Sequence, residues 1–316
     1  MGSIYGVKMD KLVSVNITTY NREKLLPRCL ESVLSQSYEK IEIIIVDDCS
    51  SDNTSRVIEE YQKKDCRIKY IRHETNKKLA TARNTAWQNS KGYYIAFMDD
   101  DDEWIDKDKL KKQVEIFENS NDEKLALIST SVRLFTDENN FTDKIITRPE
   151  NLVAHILSRN GIMYSPTVMT KREIVKKVGG FDPAIPRGVD SDLYRMIIVV
   201  NGYDSVYFMP DVTTAIHEFG ADRMTKMDTE GGLLSHVNNF ELKLNKYEKE
   251  LDRYPVSRAS IELTLSRLNY KLYRLTKKAA YRKAFKSYAG RVLKSNSSAG
   301  ALMKVIALCI QFALKR

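Results

Sequence analysis

Between Gly6 and Gly92 the sequence contains no glycine. α/β proteins that hold nucleotides through main-chain amides need a glycine-rich turn after a strand, as G-x-G-x-x-G or G-x-x-x-x-G-K-[ST]. Dinucleotide-binding and P-loop classes are therefore excluded where they would have to appear, and a phosphate bound here must be neutralised by something other than backbone amides. Long apolar runs are also missing: no stretch approaches the roughly 18 residues of a spanning helix. Cys29, Cys49, Cys66 and Cys309 show no C-x-x-C spacing, which argues against a zinc site or a disulfide framework and points to reduced, mostly buried thiols. The N-terminus "MGSIYGVKMDKLVSV" lacks the apolar core and cleavage site of a secretory signal, so a cytoplasmic location is expected.

What is present is ordinary in amount and uneven in placement. Of 316 residues, 42% are hydrophobic and 29% charged, enough apolar material for a sizeable core. The net charge of +9 conceals a split: residues 253–316 carry 15 Lys or Arg against one acid, Glu262, which leaves −5 for residues 1–252. An acidic body with a basic, helix-prone tail is expected, with a catalytic-sized domain over 1–240 and a helical region over 241–316.

"KLVSVNIT" and "IEIIIVDD" are nearly continuous β-branched runs, the pattern of strands buried on both faces of a parallel sheet. Between them Leu26, Leu30, Val33 and Leu34 recur at helical spacing. The alternation continues through "SDNTSRVIEEYQKK", "RIKYIR", "LATARNTAWQNS" and "YYIAFMD", followed by a helix around 106–118 and strand-like "LALIST" and "SPTVMT". An open, doubly wound α/β sheet follows, and such sheets bind ligands beyond the carboxyl ends of their strands. Those ends read "TTYN", "DDCSSD" and "DDDDEW".

The four aspartates 99–102 end an apolar strand. Alternation along extended backbone sends Asp99 with Asp101 to one side and Asp100 with Asp102 to the other. Hard oxygen ligands so spaced suit Mg²⁺ or Mn²⁺, which take one or two protein carboxylates and complete their shell with substrate phosphates. A solvated acidic surface is the plain alternative. An EF-hand loop fails, because Trp104 stands where its turn glycine belongs and Leu110 where its bidentate Glu belongs.

"VSVNITTYNREKLLPRCLESVLSQSYEKIEIIIVDDCSSDNT", "ATARNTAWQNSKGYYIAFMDDDDEW" and "VGGFDPAIPRGVDSDLYRMI" occur in an order and spacing that resembles the family 2 glycosyltransferases over residues 10–200. The resemblance implies a GT-A fold, a doubly wound mixed sheet with a D-x-D motif, and inverting transfer from a nucleotide-diphosphate sugar, by family habit a UDP-sugar. It implies that Thr18 and Tyr20 line the base pocket, that Asp48 accepts a hydrogen bond from the base with Asp47 beside it, and that Arg83 approaches the base or the phosphates. Asp99 and Asp101 match the D-x-D acids, with Asp101 the main metal ligand and Asp100 near the ribose. The family's acid pair after "GGFD" falls on Val189 and Asp190; the first acid is missing, leaving Asp190 as the expected base with Asp192 in reserve. His217, in "AIHEFGADRMT", matches a histidine that reaches metal or diphosphate, and Arg223 would add positive charge there. The acceptor implied is a glycan or lipid-linked hydroxyl in bacterial surface polysaccharide or lipopolysaccharide assembly. A sugar-phosphate nucleotidylyltransferase would want a glycine-rich loop where "TTYNREK" stands; a nucleotide-sugar or nucleic-acid binding module without transferase activity is the non-enzymatic alternative.

In the tail, "KLYRLTKKAAYRKAFKSYAGRVLK" interleaves nine Lys or Arg with Tyr273, Tyr281, Phe285, Tyr288 and Val292, and "ALMKVIALCIQFALKR" follows. This mixed surface suits anionic lipid headgroups at the inner face of the cytoplasmic membrane. A helical cap on the catalytic body is a second reading, and nucleic-acid binding is the least expected.

Overall fold

A computed structural model describes residues 11–158, 162–218 and 229–295. In chain order these form β1 (Val13–Thr19), α1 (Leu26–Leu34), β2 (Ile41–Asp47), α2 (Thr54–Lys64), β3 (Ile68–Arg72), α3 (Leu79–Gln88), β4 (Tyr94–Asp99), β5 (Glu103–Trp104), α4 (Lys109–Asn119), β6 (Leu127–Phe135), β7 (Phe141–Lys144), α5 (Leu152–Ser158), β8 (Val168–Lys171), α6 (Arg172–Lys177), α7 (Val189–Asn201), β9 (Val206–His217), α8 (Glu230–Lys246), α9 (Glu248–Arg253), α10 (Pro255–Thr276) and α11 (Ala279–Lys294). The C-terminal stretch 296–316, with Cys309, and Arg223 lie outside the described residues. The chain divides into two compact units, whose described parts are 11–148, 162–183 and 189–218 for the first, and 149–158, 184–188 and 229–295 for the second.

The first unit holds one mixed sheet in the order β3-β2-β1-β4-β8-β6-β9-β5, with β7 paired to β6. β1, β2, β3 and β4 run parallel, as their crossover helices require. β8 then pairs antiparallel with both β4 and β6. All seven residues of β2 are buried, because helices cover both faces. On one face Leu26, Cys29, Leu30 and Val33 of α1, Ile58 of α2 and Leu110 and Val114 of α4 close over Val13, Val15, Ile17, Ile43 and Ile45. On the other, Ala82 and Ala86 of α3 sit on Ile44 and Val46; their small side chains let that helix lie close to the strands.

Three strands escaped the sequence pattern. β5 is two residues long and β7 is fully exposed, so neither shows a period. The twelve residues of β9 are broken by Pro210 and by register shifts against β6. "SPTVMT" begins with a 3₁₀ turn before β8. Cys29 alone of the three described cysteines is buried; Cys49 is intermediate and Cys66 exposed, so the expectation of mostly buried thiols is corrected.

The second unit is helical, and α10 is its long element, in contact with α5, α8, α9 and α11. Thr229 caps α8 by accepting from the Gly232 amide at 3.1 Å.

Candidate active site

The register brings the polar end of β1 level with the acid-bearing ends of β2 and β4. Thr18 of β1 lies opposite Asp99 of β4, and Thr19 lies opposite Asp47 of β2. Side-chain alternation persists through the tetrad: Asp100 and Asp102 are buried, while Asp99 and Asp101 are partly exposed. Burial pushes Asp100 up to about 7, helped by the Asp101 charge and opposed by Arg22. Burial likewise raises Asp99 to about 6, with Arg83 opposing and Asp190 and Asp101 reinforcing, and lifts Asp102 well above the carboxylate range. Beneath them the Cys29 thiol is raised first by burial and then by all four aspartates. Burial first, and the mutual repulsion of the acids second, therefore disfavour ionisation at the lip of the sheet.

Two arginines from the β1–α1 stretch face this charge, and the sequence pattern did not single them out. Arg22 Nε stands 3.6 Å from Asp100 Oδ1 and its Nη2 4.0 Å from Asp101 Oδ2. Arg28 Nη2 donates to the Asp101 carbonyl.

Arg83, on α3, is the junction of the site. Its Nη2 donates to Asp99 Oδ1 at 2.6 Å and its Nη1 to Asp190 Oδ1, so one guanidinium joins the end of β4 to the first turn of α7. Burial works against the Arg83 charge, yet Asp190 and Asp99 outweigh it and hold the cation above its ordinary range. The "GGFD" turn forms the floor beneath it: Phe181 lies 5.5 Å under the guanidinium and meets Phe97 of β4 edge-to-face. Asn84 holds that turn in place, donating to the Phe181 carbonyl at 2.7 Å and accepting from the Phe181 amide at 2.9 Å. Gly180 has φ +76°, and a Cβ there would stand 2.6 Å from Asn84 Oδ1, so glycine is required by conformation and by space.

Asp192 is buried and ion-paired to Arg195 at 3.3 Å, whereas the Asp190 side chain is 29% exposed. Val189, in the place of the missing acid, is buried. Tyr20 is 47% exposed beyond the end of β1, and Thr18 is partly exposed. Asp48 is more committed. Its carboxylate accepts from the Lys77 and Lys78 amides, both at 2.8 Å, and lies 2.7 Å from His73 Nδ1, which fixes the 73–78 loop beside α3.

His217 ends β9, which β5 joins directly after the tetrad. Its amide donates to Asp102 Oδ1 at 3.2 Å, its Nε2 is 3.0 Å from Glu103 Oε1, and its ring stacks on Phe135. Among the described residues no group of three or more His, Cys, Asp or Glu is arranged to hold a metal, so Asp99, Asp101 and His217 are not assembled as a three-ligand set. The donor chemistry still fits a hard divalent ion: two partly exposed carboxylates over two buried ones leave negative charge that an ion completed by ligand oxygens would offset.

Residues 14–179 match the family described as Glycosyl transferase family 2. The chain belongs to glycosyl transferase family 2. A putative teichuronic acid biosynthesis glycosyltransferase, TuaG of Bacillus subtilis (strain 168), is 40% identical to this family 2 member over 162 residues, 51% of this chain and 63% of that one. A UDP-Glc:alpha-D-GlcNAc-diphosphoundecaprenol beta-1,3-glucosyltransferase, WfaP of Escherichia coli, is 44% identical over 108 residues, 34% of this chain and 42% of that one. The match thus spans less than two thirds of either relative. In structure the chain resembles S. aureus TarS 1-349 in complex with UDP-GlcNAc, with TM-score 0.61 and 18% identity over 89% of this chain and 80% of that one. The mixed doubly wound sheet is that of the GT-A glycosyltransferases, with a helical C-terminal region. No helix among the described residues is long and apolar enough to cross a membrane.

Proposed function

We propose that this chain is an inverting, divalent-metal-dependent glycosyltransferase. It moves a sugar from a nucleotide-diphosphate donor, a UDP-sugar, to a hydroxyl of a glycan or lipid-linked acceptor in bacterial surface polysaccharide synthesis. Its partners are that donor, that acceptor and an anionic membrane face at which it works peripherally. The observation that carries the reading is the Arg83 guanidinium shared between Asp99 and Asp190, which puts the first D-x-D acid and the candidate base on one cation.

Asp190 takes the proton of the acceptor hydroxyl as that oxygen bonds to the sugar anomeric carbon and the bond to the diphosphate breaks. To do so it exchanges Arg83 for the hydroxyl, which leaves the guanidinium to turn to the departing diphosphate. Asp99 and Asp101 would hold Mn²⁺ or Mg²⁺, which when bound supplies charge stabilisation to the leaving group. Tyr20 stacks on the base and Thr18 borders it, while Asp100 lies nearest the ribose. Asp48, already taking three donors, shapes the base pocket through the 77–78 backbone and meets a base N–H only by giving one of them up. His217 keeps Glu103 and Asp102 in place beside the tetrad and would contact the metal or diphosphate only by leaving Glu103.

Incubation of the chain with Mn²⁺ and a panel of UDP-, GDP-, dTDP- and CMP-sugars tests this. Metal-dependent release of one nucleoside diphosphate, accelerated by a polyprenyl-diphosphate sugar acceptor and giving an inverted anomer, is the expected result. Binding of nucleotide sugar without turnover under any of these conditions would favour a binding module instead.

A further inference from the structure

The second unit contains a surface that the transfer chemistry does not use. α10 ends at Thr276 and is capped by Lys277, whose left-handed backbone (φ 58°, ψ 10°) turns the chain into α11 within two residues, so the two helices form an antiparallel hairpin. Ala259, Leu263 and Tyr270 of α10 meet Phe285, Ala289 and Val292 of α11 between them. With the apolar faces consumed, the turn end of the hairpin exposes Lys271, Arg274, Lys277, Lys278, Lys283 and Lys286. From residue 263 to 295 there is no Asp or Glu, and of these six only Lys278 has a carboxylate partner among the described residues, Glu230 at 2.6 Å. Among the cations stands Leu275, 54% exposed.

We propose that this hairpin tip is a docking surface for anionic phospholipid headgroups, with Leu275 entering the interface. The proposal rests on the peripheral placement inferred above and names the element responsible. Clustered cations without local acids raise the concentration of an anionic lipid surface's charge around them, each contributing through the same short-range field. Nucleic-acid phosphate would satisfy the same charges but has no use for an exposed aliphatic side chain among them, whereas a headgroup boundary receives both at once. Neither helix is apolar enough to cross a bilayer, so the contact is interfacial.

The test uses the full chain in flotation assays with phosphatidylcholine vesicles, with and without phosphatidylglycerol, and compares it with Lys271→Glu/Arg274→Glu/Lys283→Glu/Lys286→Glu. The native chain is expected to float only with phosphatidylglycerol and to release at high salt. The quadruple variant should lose about 100-fold or more in partitioning, while its metal-dependent donor hydrolysis and melting temperature stay as in the native chain. Native-like flotation of the variant would overturn the hairpin assignment while leaving peripheral placement standing. No flotation of the native chain would overturn both. Tighter binding of the native chain to an RNA oligonucleotide than to the anionic vesicles would assign the surface to nucleic acid and defeat the proposal. Should the variant misfold, Leu275→Trp decides: a blue-shifted emission with phosphatidylglycerol vesicles alone supports it, and emission indifferent to them sinks it.

Discussion

The two ends of the parallel strands treat buried carboxylates in opposite ways. At the amino end Glu42 is alone and fully provided for: it accepts from Ser14 Oγ at 2.6 Å and from the Lys91 and Gly92 amides at 2.5 and 3.0 Å, and it pairs with Lys69. Burial would raise its pKa, but these donors outweigh it and hold Glu42 below the usual carboxylate range. At the carboxyl end four aspartates crowd together and three of them are pushed upward. One edge is finished within the fold, and the other is left short of positive charge. That difference supports the proposal that a ligand completes the electrostatics at the lip, at a cost in stability that the opposite edge avoids.

Changes at the two edges should therefore fail differently. Asp190→Asn, which keeps the shape and removes the proposed base, is expected to lower kcat about a thousandfold, with a fall in melting temperature limited by Asp99, which still pairs with Arg83; transfer near the native rate would remove Asp190 from the mechanism. Glu42→Ala should do the reverse. It takes the acceptor from the buried Ser14 hydroxyl and from the part-buried Lys91 amide, while the Gly92 amide keeps Ser14 Oγ, and costs about 2 kcal/mol in urea unfolding; enzyme that remains folded keeps its turnover per molecule. Asp100→Asn should stabilise the ligand-free chain by about 1–2 kcal/mol at pH 8, because the amide is neutral where the carboxylate is not.

The pH dependence carries the same contrast with its sign. Asp99 and Asp100 have folded values raised to about 6 and about 7, so the folded state binds their protons more tightly than the unfolded state. Their effect is to stabilise the chain as pH falls through that window and to weaken it as pH rises. Glu42, lowered, contributes stability above the ordinary carboxylate range and loses it only on stronger acidification. A ligand-free melting temperature that increases from pH 8 to pH 6 in the native chain, and increases less in Asp100→Asn, is expected. A flat profile shared by both would mean that the lip is already neutralised.

Much of this contrast was legible in the residues. The apolar runs located β1 to β4, and their polar ends placed the tetrad on the binding edge, because a parallel sheet imposes both period and direction. The lack of glycine between Gly6 and Gly92 pointed away from amide cradles. What was not legible depends on contacts between distant residues. Arg83 and Asp190 are 107 positions apart, and no periodicity announces that α7 starts beside α3. Asp48 looked available for a base because nothing in "VDDCSSD" reveals that His73 and the 77–78 amides turn back onto it. Arg22 and Arg28 were open to discovery, since cations following the first strand stand near the acids of the fourth in any sheet where those strands are neighbours. β5 is two residues that pair with the end of β9, which β6 holds on its other side, so β5 shows no local signal.

The most direct test of the central claim is the thermal shift of the native chain with Mn²⁺ and UDP, separately and together, beside Asp101→Asn and Glu42→Gln. If a divalent ion bridges the lip to a diphosphate, the pair stabilises the native chain by more than the two added singly, Asp101→Asn loses that excess, and Glu42→Gln retains it from a lower starting temperature. An excess that survives in Asp101→Asn, or none in the native chain, would contradict the account.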